Sequence, residues 1–164
     1  MTADTTEVLF KGAMRRLASG VALVTTADAD GAPFGIAMSA FMSLSMDPPS
    51  LLLAINQTAS LCAPLLERGH FAVNILARDQ QALWQAFVSA PPAERFAVLE
   101  WTAGPHGIPV VQSATANILC TVGEARLMGT HMVVQGLVEQ VMLEGSGDPL
   151  IYLDGRYGGM AFDA

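Results

Sequence analysis

The chain has 164 residues, 52% of them hydrophobic and 14% charged, which is the size of one domain and excludes a disordered segment. A net charge of −7 and a pI near 4.7 exclude the basic footprint that nucleic acid demands. So little charge leaves too few polar side chains to cover the outside, so a large buried interface is expected, in the simplest case a homodimer.

The opening MTADTTEVLFK has no basic stretch followed by an apolar run, so it does not read as a signal peptide. No stretch approaches the roughly 18 apolar residues of a membrane span. Cys62 and Cys120 stand far apart outside any CxxC pattern and read as reduced core thiols. The expected location is cytoplasmic.

In chain order, Asp4 with Glu7 three residues on predicts a capped helix start. Leu9, Phe10, Ala13, Met14 and Leu17 share one helical face, Lys11, Arg15 and Arg16 the other, and Gly20 ends the helix. The β-branched run Val21 to Thr26 is a strand. Asp30-Gly31 turns it into the next, antiparallel strand. That next stretch, Gly35 to Asn56 (GIAMSAFMSLSMDPPSLLLAIN), predicts two strands around a corner at Asp47-Pro48-Pro49, where proline fixes φ and removes an N–H. Its backbone amides, small hydroxyls and apolar walls suit a flat ligand with a polar edge and a phosphate, and suit an ordinary β-core as well.

Ser60 is placed to cap a helix over Leu61 to Arg68 that Gly69 closes. His70 to Leu76 is a strand, and Asp79 caps a second helix carrying Leu83, Trp84 and Phe87, expected in the core or at a subunit contact. A proline-containing loop follows, and Trp101 to Pro109 is irregular. Ala114 to Arg126 and His131 to Leu143 are long strands about a turn at Leu127 to Thr130, with Ala116, Ile118, Cys120 and Val122 on one face. Gly145 to Pro149 turns, and a short strand with a glycine-rich tail runs to Phe162.

Many strands and few helices predict a mainly β fold, a closed antiparallel barrel with a few peripheral helices. Neither GxGxxG after a strand nor a P-loop occurs. His70 and His106 read as structural or surface residues, and the spacing of the three histidines suggests no metal site. Ser39, Ser43 and Ser45 have no base in a recognisable relation to them, which argues against a nucleophilic serine.

The ordered pieces GVALVTT (20–26), DG (30–31), GIAMSAFMSLSMDPP (35–49), FAVNIL (71–76), ERF (94–96), ILC (118–120), GTH (129–131) and PLIYLDGRYG (149–158) resemble the flavin reductase family, over roughly residues 8–160. These are the small NAD(P)H-dependent partners of two-component flavin monooxygenases, with the antiparallel FMN-binding split β-barrel. The resemblance implies that Gly35 to Ser45 holds the flavin. The backbone of Ala37 and Met38 would lie at the ring edge beside Ala40, with Ser39 and Ser45 near the ribityl chain and phosphate. Asn56 would border the pyrimidine edge. Ser60 at a helix start would help bind phosphate, where free amides favour an anion. Arg95 would add charge on the phosphate or adenine side. His131, in the position of the family's Gly-Asp-His motif, would face the nicotinamide, with Arg156 and Tyr157 bordering the same pocket. Two departures stand out: Thr130 replaces the usual Asp, and Ala37 stands where the family often has Thr. The resemblance implies hydride transfer from NADH or NADPH to FMN or FAD, with reduced flavin passed to a monooxygenase. A flavin-binding electron carrier without nicotinamide turnover is the alternative. An oxidase of a phosphorylated vitamer would want more basic residues than the eight present.

Overall fold

The computed structural model describes the backbone of residues 3–144 and 147–161, with side chains from Thr5 onward. It is mainly β, its strands all paired antiparallel, with few helices. In order these are helix α1 (Ala3–Met14), strands β1 (Ser19–Gly20), β2 (Ala22–Ala27), β3 (Pro33–Met38), β4 (Phe41–Met46) and β5 (Pro49–Asn56), then helix α2 (Cys62–Arg68) and strand β6 (His70–Ile75). Helix α3 (Gln81–Ser89), strands β7 (Trp101–Ala103), β8 (Pro109–Val111), β9 (Ala116–Met128), β10 (His131–Leu143), β11 (Ile151–Leu153) and β12 (Arg156–Gly158) complete it.

Seven strands form one sheet in the order β3-β2-β6-β9-β10-β5-β4. The stretch expected to run as a single strand from Gly35 to Ser45 breaks at Ser39-Ala40. The chain leaves one edge of the sheet there and starts the other edge, so β3 and β4, neighbours in sequence, are the two rims. Among the described residues the strand ladder is open between them. The Asp30-Gly31 hairpin forms as expected, with Val24 opposite Ile36 and Gly31 at φ 85°. The corner before β5 forms too, with a cis Asp47–Pro48 bond.

Alternation sorts the side chains. One face of the sheet buries Val24, Leu53, Ile55, Phe71, Val73, Cys120 and Val134, closed by Leu61 and Leu65 around α2. Among the described residues, the other face is covered over β2, β6 and β9. There α3 brings Phe87 against Leu23 and Leu76, and the β7–β8 hairpin lays Ile108 and Val110 on Ala72 and Leu119. A buried amide network fastens that hairpin. Asn74 Oδ1 accepts from Val111 N (3.0 Å) and from Asn117 Nδ2 (2.8 Å), and Asn117 Nδ2 also donates to Val111 O (3.0 Å). Each group is satisfied, which is what lets polar side chains sit in a core.

Several local expectations differ from the structure. Helix α1 ends at Met14, not at Gly20, and its apolar residues Val8, Leu9, Phe10 and Met14, with Leu17 just beyond it, are exposed rather than packed on the chain's own core. The cap assigned to Asp4 falls on a side chain outside the described residues, as does part of the turn at Gly145 and the tail at Phe162. Ser60 does not cap α2: the N-cap is Leu61, without a side-chain cap bond, because the backbone turn Cys62 N to Ala59 O (3.0 Å) already closes the entry. Nor does Asp79 open α3. A 3-10 turn, Arg78–Gln80, precedes the helix, and Gln80 Oε1 accepts from Ala77 N at 2.9 Å instead. Trp101 to Pro109, expected to be irregular, holds β7 and the start of β8, which pair as a hairpin.

Candidate functional site

The break at Ser39-Ala40 makes the site. Ala37, Met38 and Ser39 line a cleft of about 320 Å³ whose far wall is Trp84, Tyr152 and Tyr157. Ser39, Ala40 and Tyr152 also line a larger groove of about 890 Å³, floored by Leu52, Ala54 and Val133 and walled by Lys11 and Met14 of α1 and by Arg15 directly after it. Ser39 and Tyr152 are therefore a shared wall between two hollows. Both volumes fall in the usual range of small-molecule pockets, about 300–1,000 Å³.

The groove leads toward a second group. Val133 sits opposite Ala54, and one side-chain pair further along the same face His131 sits opposite Asn56. Two residues of strand advance about 7 Å. His131 is exposed, and its Nδ1 lies 3.0 Å from the Thr130 hydroxyl. That hydroxyl stands where the family's Asp side chain is expected. Asn56 Oδ1 accepts from Thr58 N (3.0 Å) and Thr58 Oγ1 (2.9 Å), a local turn that fixes the strand's end. Gln57 N donates to Thr130 O at 3.1 Å and ties the two strand ends together.

Tyr157 belongs to the corner group. Its ring stands 4.0 Å from that of Trp84 and 5.2 Å from that of Tyr152. Burial, and after it the neighbouring Tyr152, pushes its hydroxyl above the ordinary tyrosine range, so it stays a protonated donor at neutral pH. A hairpin brings the two tyrosines together: Tyr152 pairs with Tyr157, and Asp154 and Gly155 take φ 49° and 77° as a tight primed turn requires. Arg156, on the same hairpin opposite Leu153, is exposed.

Three of the expected residues lie elsewhere. Ser45 is opposite Ser50, six residues down β5 from Asn56, about 20 Å away at strand rise. Its hydroxyl is engaged by Asp47, donating to the carbonyl (3.0 Å) and accepting from the amide (3.1 Å). Ser60 is exposed just beyond the Asn56 turn, where Ala59 N donates to Asn56 O. Arg95 is half-buried behind β3, donating Nη1 to Gly35 O at 3.0 Å and lying 5.4 Å over the Phe87 ring. Its Nε is buried without a hydrogen-bond partner.

Sequence reasoning passed over Lys11, Arg15, Tyr152 and Trp84 as site residues. Lys11 pairs with Glu7 (2.7 Å) and Arg15 with Asp154 (3.1 Å), yet both border the groove. The Asp154-Gly155 dipeptide between two apolar runs was the signal for the tyrosine hairpin. No comparable local signal places α1 along the groove. In sum the residues present offer a flat apolar floor, hydroxyl edges and two cations at the rim. They lack an activated nucleophile, and they fit a ring-shaped ligand with a negatively charged tail.

The Flavin reductase like domain, as a sequence family, matches residues 14–161. An actinorhodin polyketide dimerase of Streptomyces coelicolor is 36% identical over 96% of this chain and 87% of its own. An NADH-dependent FMN reductase, RutF, of Methylorubrum populi is 38% identical over 90% of this chain and 73% of its own. The crystal structure of a homolog of nitrilotriacetate monooxygenase component B from Mycobacterium thermoresistibile superposes with a TM-score of 0.89 at 30% identity, covering 98% of this chain and 89% of that one.

Proposed function

The chain belongs to the flavin reductase like domain family, and from that premise we propose that it reduces FMN or FAD with NADH or NADPH. The observation that carries this reading is the groove at the β3–β4 break, which leads to the Asn56–His131 pair. When bound, the flavin supplies the hydride acceptor and the reduced nicotinamide the donor, so no protein acid or base is needed at the reacting atoms.

The protein's part is to bind, orient and exclude water. Ala40, Ala54 and Val133 give a floor with no bulk to displace a flat ring, and the Ala37–Ala40 backbone and the Ser39 hydroxyl form its polar edge. Tyr152 and Tyr157 close the far side. Lys11 and Arg15 stand where an anionic tail is drawn toward α1, the two cations that line the groove among the described residues. Asn56, paired with His131, faces the ring's other end. His131, its Nδ1 engaged by Thr130, turns Nε2 to the open side, where a nicotinamide docks. Arg95 acts from behind, holding β3 through Gly35, and Arg156 lies at the rim. Ser45 keeps the cis-proline corner rather than touching the ligand.

We read the sheet as a split barrel. Its two rims are joined by only Ser39 and Ala40, so the sheet curls until β3 and β4 meet at that corner without bonding. The exposed face of β4, β5 and β10, with Met42 61% and Met46 81% exposed, and the bare apolar side of α1, with Phe10 64% exposed, support a homodimer in solution. The two cysteines, buried and unpaired, suit a reducing cytoplasm. The component B neighbour supports a partner monooxygenase that consumes the reduced flavin. No helix among the described residues is long and apolar enough to cross a membrane.

Mixing the purified protein with FMN or FAD and each nicotinamide tests the reading. Loss of the NADH or NADPH absorbance band is expected, and its persistence with every pairing overturns it.

A further inference from the structure

Away from the groove, on the covered side of the sheet, three side chains converge that the reductase reading does not use. His70 opens β6, His106 sits in the turn Pro105–Gly107 of the β7–β8 hairpin, and Glu139 lies on β10. A nitrogen of each ring and a carboxylate oxygen lie within 4.8 Å of one another. Glu139 is eight residues along β10 from His131, about 26 Å at strand rise, so the cluster is separate from the flavin groove.

Each member is held from behind. His70 Nδ1 lies 3.3 Å from Arg68 O, a contact that leaves Nε2 free. Thr121, directly opposite His70 on β9, donates its hydroxyl to Glu139 Oε1, so Oε2 is the oxygen that faces His106 Nε2 at 3.2 Å. That hydroxyl first, and the two imidazoles after it, hold the Glu139 carboxyl below the usual range. Arg68 Nη2 donates to His106 O at 2.5 Å.

The backbone departs from regularity to make the cluster. The β9–β10 register shifts between Val138 and Gln140, a bulge that falls on Glu139, and bulges re-aim side chains. His106 takes φ 58°, a left-handed conformation rare outside glycine, and its ring stacks on His70 at 3.9 Å. The hairpin carrying it is anchored by the buried Asn74–Asn117 network and by Thr25 Oγ1 on Pro109 O at 2.6 Å.

We propose that His70, His106 and Glu139 form a binding site for one divalent transition cation of the zinc type, with a water as fourth ligand, that pins the β7–β8 hairpin to the sheet. Two imidazoles and one carboxylate are a borderline donor set that suits zinc and disfavours magnesium and calcium, which prefer all-oxygen shells. Bonds of about 2.0–2.2 Å at tetrahedral angles put ligand atoms about 3.4 Å apart, so the His106–Glu139 edge already has the right length. The remaining ligand atoms lie within 4.8 Å, so closing the shell requires the His70 ring to turn out of its stack on His106. Partners behind metal ligands, like Arg68 O and Thr121 here, are the usual companion of such sites.

Calorimetric titration of the untagged full chain with zinc chloride tests this. One equivalent per chain is expected, with a rise in melting temperature that magnesium chloride does not reproduce. His106→Asn keeps a residue that tolerates the left-handed turn, and Glu139→Gln keeps the Thr121 contact. Each is expected to weaken zinc binding at least about tenfold, the low end of what even the outer partners of metal ligands contribute. In the wild-type chain, zinc should shift the imidazole NMR signals of His70 and His106 and leave those of His131 unchanged. Absence of saturable uptake, uptake that neither substitution weakens, or unmoved His70 and His106 signals overturns the proposal.

Discussion

Two halves of one sheet face carry the same kind of apolar alternation and meet different fates. Over β2, β6 and β9, the residues Leu23, Ala72 and Leu119 are covered by α3 and the β7–β8 hairpin and are almost wholly buried. Over β4, β5 and β10, Met42, Leu52 and Val133 are left uncovered, facing α1 and Tyr152 across a groove of about 890 Å³. The first half is core made within the chain. The second is left open, the surface that the proposed ligand and the proposed second copy would complete. The Ser39-Ala40 break, with the aromatic group of Trp84, Tyr152 and Tyr157, stands at the border between the halves, so the proposed ligand rests on a rigid wall on one side and an adaptable one on the other.

The sharpest way to test that contrast is to remove a pillar of the covered half. Phe87 is fully buried, edge-on to Phe96 with ring centroids 6.2 Å apart, and its ring lies where a Cβ on Gly35 would be only 3.2 Å away. Phe87→Ala should cost about 3–5 kcal/mol in denaturant unfolding. A smaller loss means that the α3 layer is not core. On the open half, Met42→Lys should leave the fold intact and halve the mass seen by sedimentation equilibrium. An unchanged mass places the subunit contact elsewhere.

Within the site the effects shrink. His131→Gln should lower kcat/KM for the nicotinamide about tenfold, equivalent to about 1.4 kcal/mol, while flavin affinity stays the same. A loss confined to flavin affinity would assign the imidazole to the other ligand. Thr130→Val removes one hydrogen bond to that ring, worth about 1 kcal/mol, and should cost about fivefold in the same parameter. No change there would show that the turn alone orients His131.

The smallest signal expected is from the thiols. Burial first, and Glu139 second, pushes Cys120 up to about 12, and burial raises Cys62 as well. With folded pKa values above the ordinary 8.5, both stay protonated and unreactive at pH 8. A thiol reagent should label them only after denaturant is added. Rapid labelling of the native chain would mean that the core around β9 opens.

Much of the fold was legible locally. Asp30-Gly31 and Asp47-Pro48-Pro49 announced their turns, and the alternating Ile118, Cys120 and Val122 announced a strand face that is indeed core. Turn chemistry and period-two burial act between near neighbours, so they leave a mark in the sequence. The strand break at Ser39-Ala40 left none, since small and apolar residues continue through it and only pairing with two different partners shows it. The resemblance put Ser45 by the phosphate and Asn56 by the ring of one ligand, but antiparallel pairing sets Ser45 opposite Ser50, at the other end of β5 from Asn56.

The sequence by itself thus determined that the chain is β-rich and where most turns fall, because these follow from spacing and local backbone chemistry, and its ordered motifs carried the resemblance to a family. Tertiary structure alone decided which half of the sheet stays open and that Lys11 and Arg15 border the groove. It also decided that His70, His106 and Glu139, separated by 36 and 33 positions, meet. Contacts at such separations depend on register, a bulge and the crossing of a hairpin over the sheet, and none of these is encoded within the few residues over which a sequence pattern can be read.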